Sequence, residues 1–195
     1  MTITGTARLA AVVYQSGFKI DDFLTRLVNL LRADHVKVAG VLQENARDVA
    51  GFCSAMTLVD LTSRRRFRIS QDLGSQAQGC RLDARGIAEI GPLLERTLDQ
   101  DVELIILNRF GKAEAEGGAL RSAFVRAMEA GIPTVTAVRV PYTEAWSLFH
   151  GQLATELAAD LDAVLAWCRE SVRQLRAARR SELSATGKMQ GLRHG

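Results

Sequence analysis

Three stretches of the chain concentrate the residue types that hold anions. The first is Gln15-Ser16-Gly17-Phe18-Lys19, between an apolar run and an amphipathic one. Ser16 and Gly17 supply backbone N–H groups beside a helix start, and Lys19 supplies a cation, which are parts of a phosphate or oxyanion loop. The working form of that loop, G-x-x-x-x-G-K-[ST], needs two glycines for close backbone approach and a hydroxyl for Mg²⁺. Aligned on Lys19, Val13 stands at the first glycine, Phe18 at the second and Ile20 at the hydroxyl. Only the lysine remains. The alternative is an ordinary turn with an exposed lysine, followed by Asp21 and Asp22, which favour the positive end of a helix.

The second stretch is NRFGKAEAEGGALR, where Asn108 occupies the place of an acid that would help hold magnesium. Arg109 and Lys112 are candidates for an oxyanion, and Glu114 or Glu116 for accepting protons or for capping a helix. The third begins Ser70-Gln71-Asp72-Leu73-Gly74 and ends Cys80-Arg81-Leu82-Asp83. Cys80 is a reactive thiol if Arg81 lowers its pKa, and otherwise a small hydrophobe. Asp83 reads as a helix N-cap. Gln43, at the end of a second apolar run, adds a neutral donor. No histidine stands near a candidate nucleophile in these stretches, so a catalytic triad is not supported. Cys53, Cys80 and Cys168 form no Cys-x-x-Cys pair, which points to reduced thiols and away from a zinc site.

The elements that must position these groups follow from periodicity. Residues 9–14 (LAAVVY) are a continuous apolar run, as in a strand buried on both faces. Residues 20–33 change to helical spacing, and 36–42 return to a strand, which predicts a parallel pair with a right-handed crossover. Strands at 55–61 and 66–69, joined at Thr62–Ser63, predict an antiparallel hairpin at one edge. A helix is expected from Ala84, interrupted at Gly91-Pro92. A buried strand at 102–107, a helix at 113–130 capped by Gly131, and a strand at 134–138 follow. Leu153, Leu157, Leu161, Val164, Leu165, Cys168, Val172 and Leu175 predict one long final helix.

This alternation predicts an α/β, three-layer, mostly parallel open sheet of P-loop-like topology, with an edge β-hairpin and a long C-terminal helix. Residues 1–178 are expected to form the domain and 179–195 a mobile basic tail. Loops 15–19, 43–51 and 108–118, with 70–83 as a fourth, are expected at the carboxyl rim of the sheet, where such folds bind ligands.

The chain has 195 residues and a net charge of +3. Residues 169–195 hold seven Lys or Arg against two Glu, so the basic character belongs to the tail and the body is slightly acidic. A nucleic-acid partner is therefore not expected. No apolar run is long enough to span a bilayer. Residues 1–8 lack the apolar core of a signal peptide, and the expected location is the cytoplasm.

Through Val41-Leu42-Gln43, Ile69-Ser70-Gln71-Asp72-Leu73-Gly74, Cys80-Arg81-Leu82-Asp83, Asn108-Arg109-Phe110-Gly111-Lys112 with Glu114, and Gly131-Ile132-Pro133, residues 8–168 resemble a bacterial domain family of unknown function encoded near molybdate-transport genes. Members are labelled as ATP-binding subunits of molybdenum transporters or as small P-loop nucleoside triphosphatases. The resemblance implies a P-loop-like scaffold linked to molybdate or tungstate. The departures at Val13, Phe18, Ile20 and Asn108 remove most of the groups that hold a magnesium nucleotide, and there is no LSGGQ-like signature of a transporter ATPase. The leading expectation is thus non-catalytic binding of a molybdate- or tungstate-type oxyanion by Ser16, Gly17, Lys19, Gln43, Ser70, Gln71, Cys80, Arg81, Asn108, Arg109, Lys112 and Glu114. One alternative is a nucleotide-binding protein or nucleoside triphosphatase with a divergent loop. Another is an interaction module that forms a homodimer or higher homo-oligomer through the final helix and tail.

Overall fold

The computed structural model describes residues 8–47, 53–71, 83–118 and 120–191. The chain runs β1 (Leu9–Tyr14), α1 (Ile20–Ala33), β2 (Val38–Arg47), β3 (Cys53–Asp60) and β4 (Arg66–Arg68). Then come α2 (Ala84–Ala88), α3 (Gly91–Leu98), β5 (Leu104–Phe110), α4 (Lys112–Ala115), α5 (Arg121–Glu129) and β6 (Thr134–Arg139). After a 3₁₀ turn at Val140–Tyr142 it closes with α6 (Thr143–His150), β7 (Ala154–Ala158) and α7 (Leu161–Gly191).

The seven strands form one sheet in the order β4-β3-β2-β5-β6-β1-β7. β2, β5, β6, β1 and β7 are parallel, and β3 and β4 complete an antiparallel edge hairpin. β1 is apolar throughout because it has a neighbour on each side and a core on each face. Against one face pack α1 and α7, with Leu24, Leu27, Val164 and Val172 meeting Val12, Leu104 and Ile106. Against the other pack α3, α5 and α6, where Phe110, Phe124 and Trp146 set their rings edge to face 5.1–6.0 Å apart. Cys168, fully enclosed beneath α7, has its thiol pushed up to about 12 by burial and is inert as a nucleophile.

Three expectations need correction. Leu153 and Leu157 do not lie on the last helix. Gly151, left-handed at φ 50°, ends α6, and the chain then lies along the outer edge of β1 as β7. The expected helix at 113–130 is two, α4 and α5, because Gly117 turns the chain at φ 91° and the Glu114 carboxylate accepts from the backbone N–H of Leu120 across the turn. Finally, α7 runs past Leu175, the last residue of the helical spacing, to Gly191, through a stretch that includes the good helix formers Glu182, Leu183, Ala185, Lys188 and Met189.

Charged contacts fasten α7 to the amino rim of the sheet. Arg176 donates Nε and Nη2 to the two oxygens of Glu103 at 2.6 and 2.7 Å, and Arg179 donates to the Val102 carbonyl at 2.8 Å. The hydrogen bond from Arg176 holds the Glu103 carboxyl below its usual range, with the Lys37 backbone N–H adding to it against the opposing effect of burial. A depressed folded-state pKa adds stability that is present above the unfolded value and lost as pH falls through the folded one. Thermal melts should therefore show Glu103→Gln less stable than the parent by about 1–2 kcal/mol at pH 7, with the gap closing below the ordinary carboxylate range. Gly40, at φ +109° in β2, has no space for a side chain: a Cβ there would meet the Ile106 carbonyl oxygen at 2.0 Å. Gly40→Ala should cost on the order of 2–4 kcal/mol in denaturant unfolding.

Candidate functional site

Parallel pairing of β2 with β5 ends at Val41 and Leu107. Beyond that point the chain leaves β2 toward β3 on one side and leaves β5 toward β6 on the other. Such a divergence opens a crevice at the carboxyl ends of the strands, the usual ligand position in an open α/β sheet. Asn108 bridges it. Its Oδ1 accepts from the Gln43 backbone N–H at 2.9 Å, and its Nδ2 donates to Gln43 Oε1 at 3.3 Å. The side chain is buried, so a neutral amide that both accepts and donates suits the place where an aspartate could only accept.

A row of hydrogen bonds runs outward from this bridge. Gln43 Nε2 donates to Asn45 Oδ1 at 2.7 Å, and Asn45 Nδ2 donates to Asp21 Oδ2 at 2.9 Å. Asp21 Oδ1 in turn accepts from Arg109 Nη2 at 2.6 Å. Arg109 Nε is buried and has no protein partner, so the guanidinium is anchored with a donor to spare. Nearby, burial raises the Tyr14 phenol, while the charges of Arg109 and Arg139 pull it down.

Two openings flank the crevice, one on each face of the sheet. On the α1 side a cleft of about 760 Å³ is lined by Gly17, Lys19, Asp21, Asp22, Gln43 and Arg109, among others. On the α4 side a cleft of about 200 Å³ is lined by Asn108, Lys112 and Glu114 and by the apolar Leu58, Ile69 and Leu120, and it shares Gln43 and Arg109 with the first. Lys19, Gln43, Asn108 and Arg109 thus come together at one rim. Residues 43–47 and 108–110 reach this rim as continuations of β2 and β5, not as loops, because β2 goes on pairing with β3.

Other candidates have structural partners or lie elsewhere. Glu114 is buried, and its oxygens accept from the backbone N–H groups of Gly111 at 3.0 Å and Leu120 at 3.4 Å. Burial raises its pKa, and those backbone bonds resist the rise. Ser70 Oγ accepts from the Met56 N–H at 3.0 Å inside the edge hairpin. Ser16, Ser70 and Gln71 line neither cleft. Cys80 and Arg81 lie outside the described residues. Sequence reasoning gave Asp21 no role beyond the helix dipole and did not single out Asn45. An acid in the first turn after an anion loop is the one signal that could have drawn attention to Asp21.

Several donors at this rim could hold an anion. The first turn of α1 has no side-chain cap, so the backbone N–H groups of Asp21 and Asp22 lack intrahelical partners. Lys19 is exposed, with no ion-pair partner among the described residues. Against these donors stand Asp21, paired with Arg109, Glu44, paired with Arg66 at 2.6 Å, and the exposed Asp22. A magnesium nucleotide does not fit the residues present. Ile20 is buried where a hydroxyl is needed, Val13 is locked between β6 and β7, and both polar atoms of Asn108 are engaged by Gln43. Among the described residues no three His, Cys, Asp or Glu side chains gather as a metal site. Among those residues, too, no helix is long and apolar enough to cross a membrane.

Comparison with known proteins agrees with this fold. A family described as a protein of unknown function (DUF2478) matches residues 9–167. The chain is 37% identical over 165 residues to the Molybdenum import ATP-binding protein ModC 2 of Bradyrhizobium diazoefficiens, a match covering 84% of this chain. The chain spans only 18% of the length of that relative. The solution structure of a human cancer-related nucleoside triphosphatase superposes with a TM-score of 0.60 at 16% identity, covering 86% of this chain and 98% of that one. The crystal structure of THEP1 from the hyperthermophile Aquifex aeolicus gives 0.60 at 13% identity, covering 81% and 95%. At these identities the likeness is one of fold. The Asp21–Arg109 contact ties α1 to β5, and a double-mutant cycle with Asp21→Ala and Arg109→Ala should return a coupling of about 1 kcal/mol in chemical denaturation, shrinking as salt is added.

Proposed function

The chain belongs to the DUF2478 family of proteins of unknown function, and we propose that its cleft on the α1 side of the β2/β5 crevice holds a small oxyanion without catalysing hydrolysis. The observation that carries this reading is the convergence of Lys19, the uncapped first turn of α1, Gln43 and Arg109 on one opening. A tetrahedral dianion is bound well by several N–H and amide donors with one or two cations. Lys19 is the free cation, Arg109 the anchored one, and the amides of Gln43 and Asn45 are neutral. Loss of the glycine, hydroxyl and acid positions of a magnesium-nucleotide site argues for binding over turnover. Molybdate or tungstate is the favoured anion, because a segment of this kind occurs within a protein named for molybdenum import. The ATP-binding function in that name need not reside in the matched 18%.

A second reading, nucleotide binding through a divergent loop, draws on the cleft volume of about 760 Å³, more than a bare oxyanion fills. Calorimetric titration with molybdate, tungstate, sulfate, phosphate and ATP separates the two. The first reading expects heat with molybdate or tungstate, an affinity that falls with salt, and roughly tenfold weaker binding in Lys19→Ala, equivalent to about 1.4 kcal/mol. Absence of heat with all four inorganic anions would overturn it. Magnesium-dependent phosphate release from ATP that disappears in Lys19→Ala would establish the second.

A further inference from the structure

We propose that the smaller cleft across the crevice is a subsite for a compact apolar ring, so that an oxyanion carried on such a ring binds with its charge in the α1-side cleft and more tightly than the same oxyanion alone. The inference rests on the anion reading above and adds the class of molecule. Its basis is that the two openings meet at the same two side chains, Gln43 and Arg109.

The smaller cleft, about 200 Å³, has a chemistry unlike its neighbour's. Leu58, Ile69, Ile87 and Leu120 form its apolar walls, each at most 7% exposed. The Glu114 carboxylate at its side is already bonded to two backbone N–H groups, and Lys112, which also lines it, is 75% exposed and 3.8 Å from Glu116. Such walls bind a charged oxyanion poorly. They favour an apolar group, which would displace roughly six waters that find few hydrogen bonds there.

Arg109 joins the two halves. One edge of its guanidinium is fixed by Asp21, and Nε is buried without a partner. A guanidinium donates in its plane and stacks over its face, so one residue can hold an anion and lie against the ring that carries it. Gln43 serves both sides in a similar way, its Nε2 directed to Asn45 on the polar side and its Oε1 to Asn108 in the crevice.

Phenyl phosphate and inorganic phosphate are the probes, compared by calorimetry on the full chain. Phenyl phosphate should bind at least tenfold more tightly than phosphate. Leu58→Trp, which fills the apolar cleft, should erase that excess and leave phosphate affinity unchanged, and Ile87→Phe, at another lining position, should do the same. Equal affinities in the unsubstituted chain would overturn the ring site while sparing the anion reading, whatever the folding of the variants. Preference for phenyl phosphate that survives both substitutions would also overturn it. Failure of phenyl phosphate to bind would overturn the ring site, and the anion reading would fall with it only if molybdate, tungstate, sulfate and phosphate also gave no heat.

Discussion

A parallel sheet whose strands part company must satisfy the backbone groups exposed in the gap, since a buried polar group without a partner costs free energy. In this fold that demand falls on the Asn108 side chain, which takes up the Gln43 N–H where the β2/β5 ladder ends. Everything at the rim follows from this bridge. Gln43 is held so that its amide reaches Asn45, Asn45 reaches Asp21, and Asp21 fixes Arg109. The candidate site is therefore an outgrowth of how the sheet closes its own gap, and its side chains hold one another in place. Pre-organisation of that kind lowers the entropy cost of binding.

The same rim explains why a P-loop-like fold here departs from the residue pattern of a phosphate loop. A phosphate loop needs slack between strand and helix, but Val13 is still within β1 and bonded on both sides, leaving residues 15–19 for the turn. Phe18 fills the position of the second glycine and leans its ring against Tyr14 and Phe23, at centroid distances of 6.3 and 5.7 Å. Ile20 belongs to the core beneath α1. Val13 is held within the sheet, Ile20 within the core, and the partly exposed Phe18 rests on Tyr14 and Phe23, at the points where a phosphate loop would offer backbone or hydroxyl.

Much of the scaffold was legible in the chain. The apolar runs at 9–14 and 102–107 and the helical period of 20–33 identified β1, β5 and α1, because burial on both faces leaves a continuous signature and one buried face leaves a periodic one. The hairpin and the interruption at Gly91-Pro92 were equally plain. What misled was spacing without context: Leu153 and Leu157 sit four apart like helix residues, yet the edge of β1 recruits them into and beside a strand. At the site, Lys19, Gln43 and Arg109 could be nominated by type and position. The bond from Arg109 to Asp21 spans 88 residues and has no local signature. Ser70 shows the reverse case, a polar residue in a polar stretch whose hydroxyl belongs to the edge hairpin.

The last helix has a consequence of its own. It starts after β7, at the carboxyl rim, and runs back past Glu103 at the amino rim. Its 31 residues make a rod about 46 Å long, so the final dozen or so project from the pole opposite the crevice. A fluorophore or surface tether placed on that projecting end would sit far from the ligand openings, and the molecule could be immobilised by it with both clefts facing the solvent.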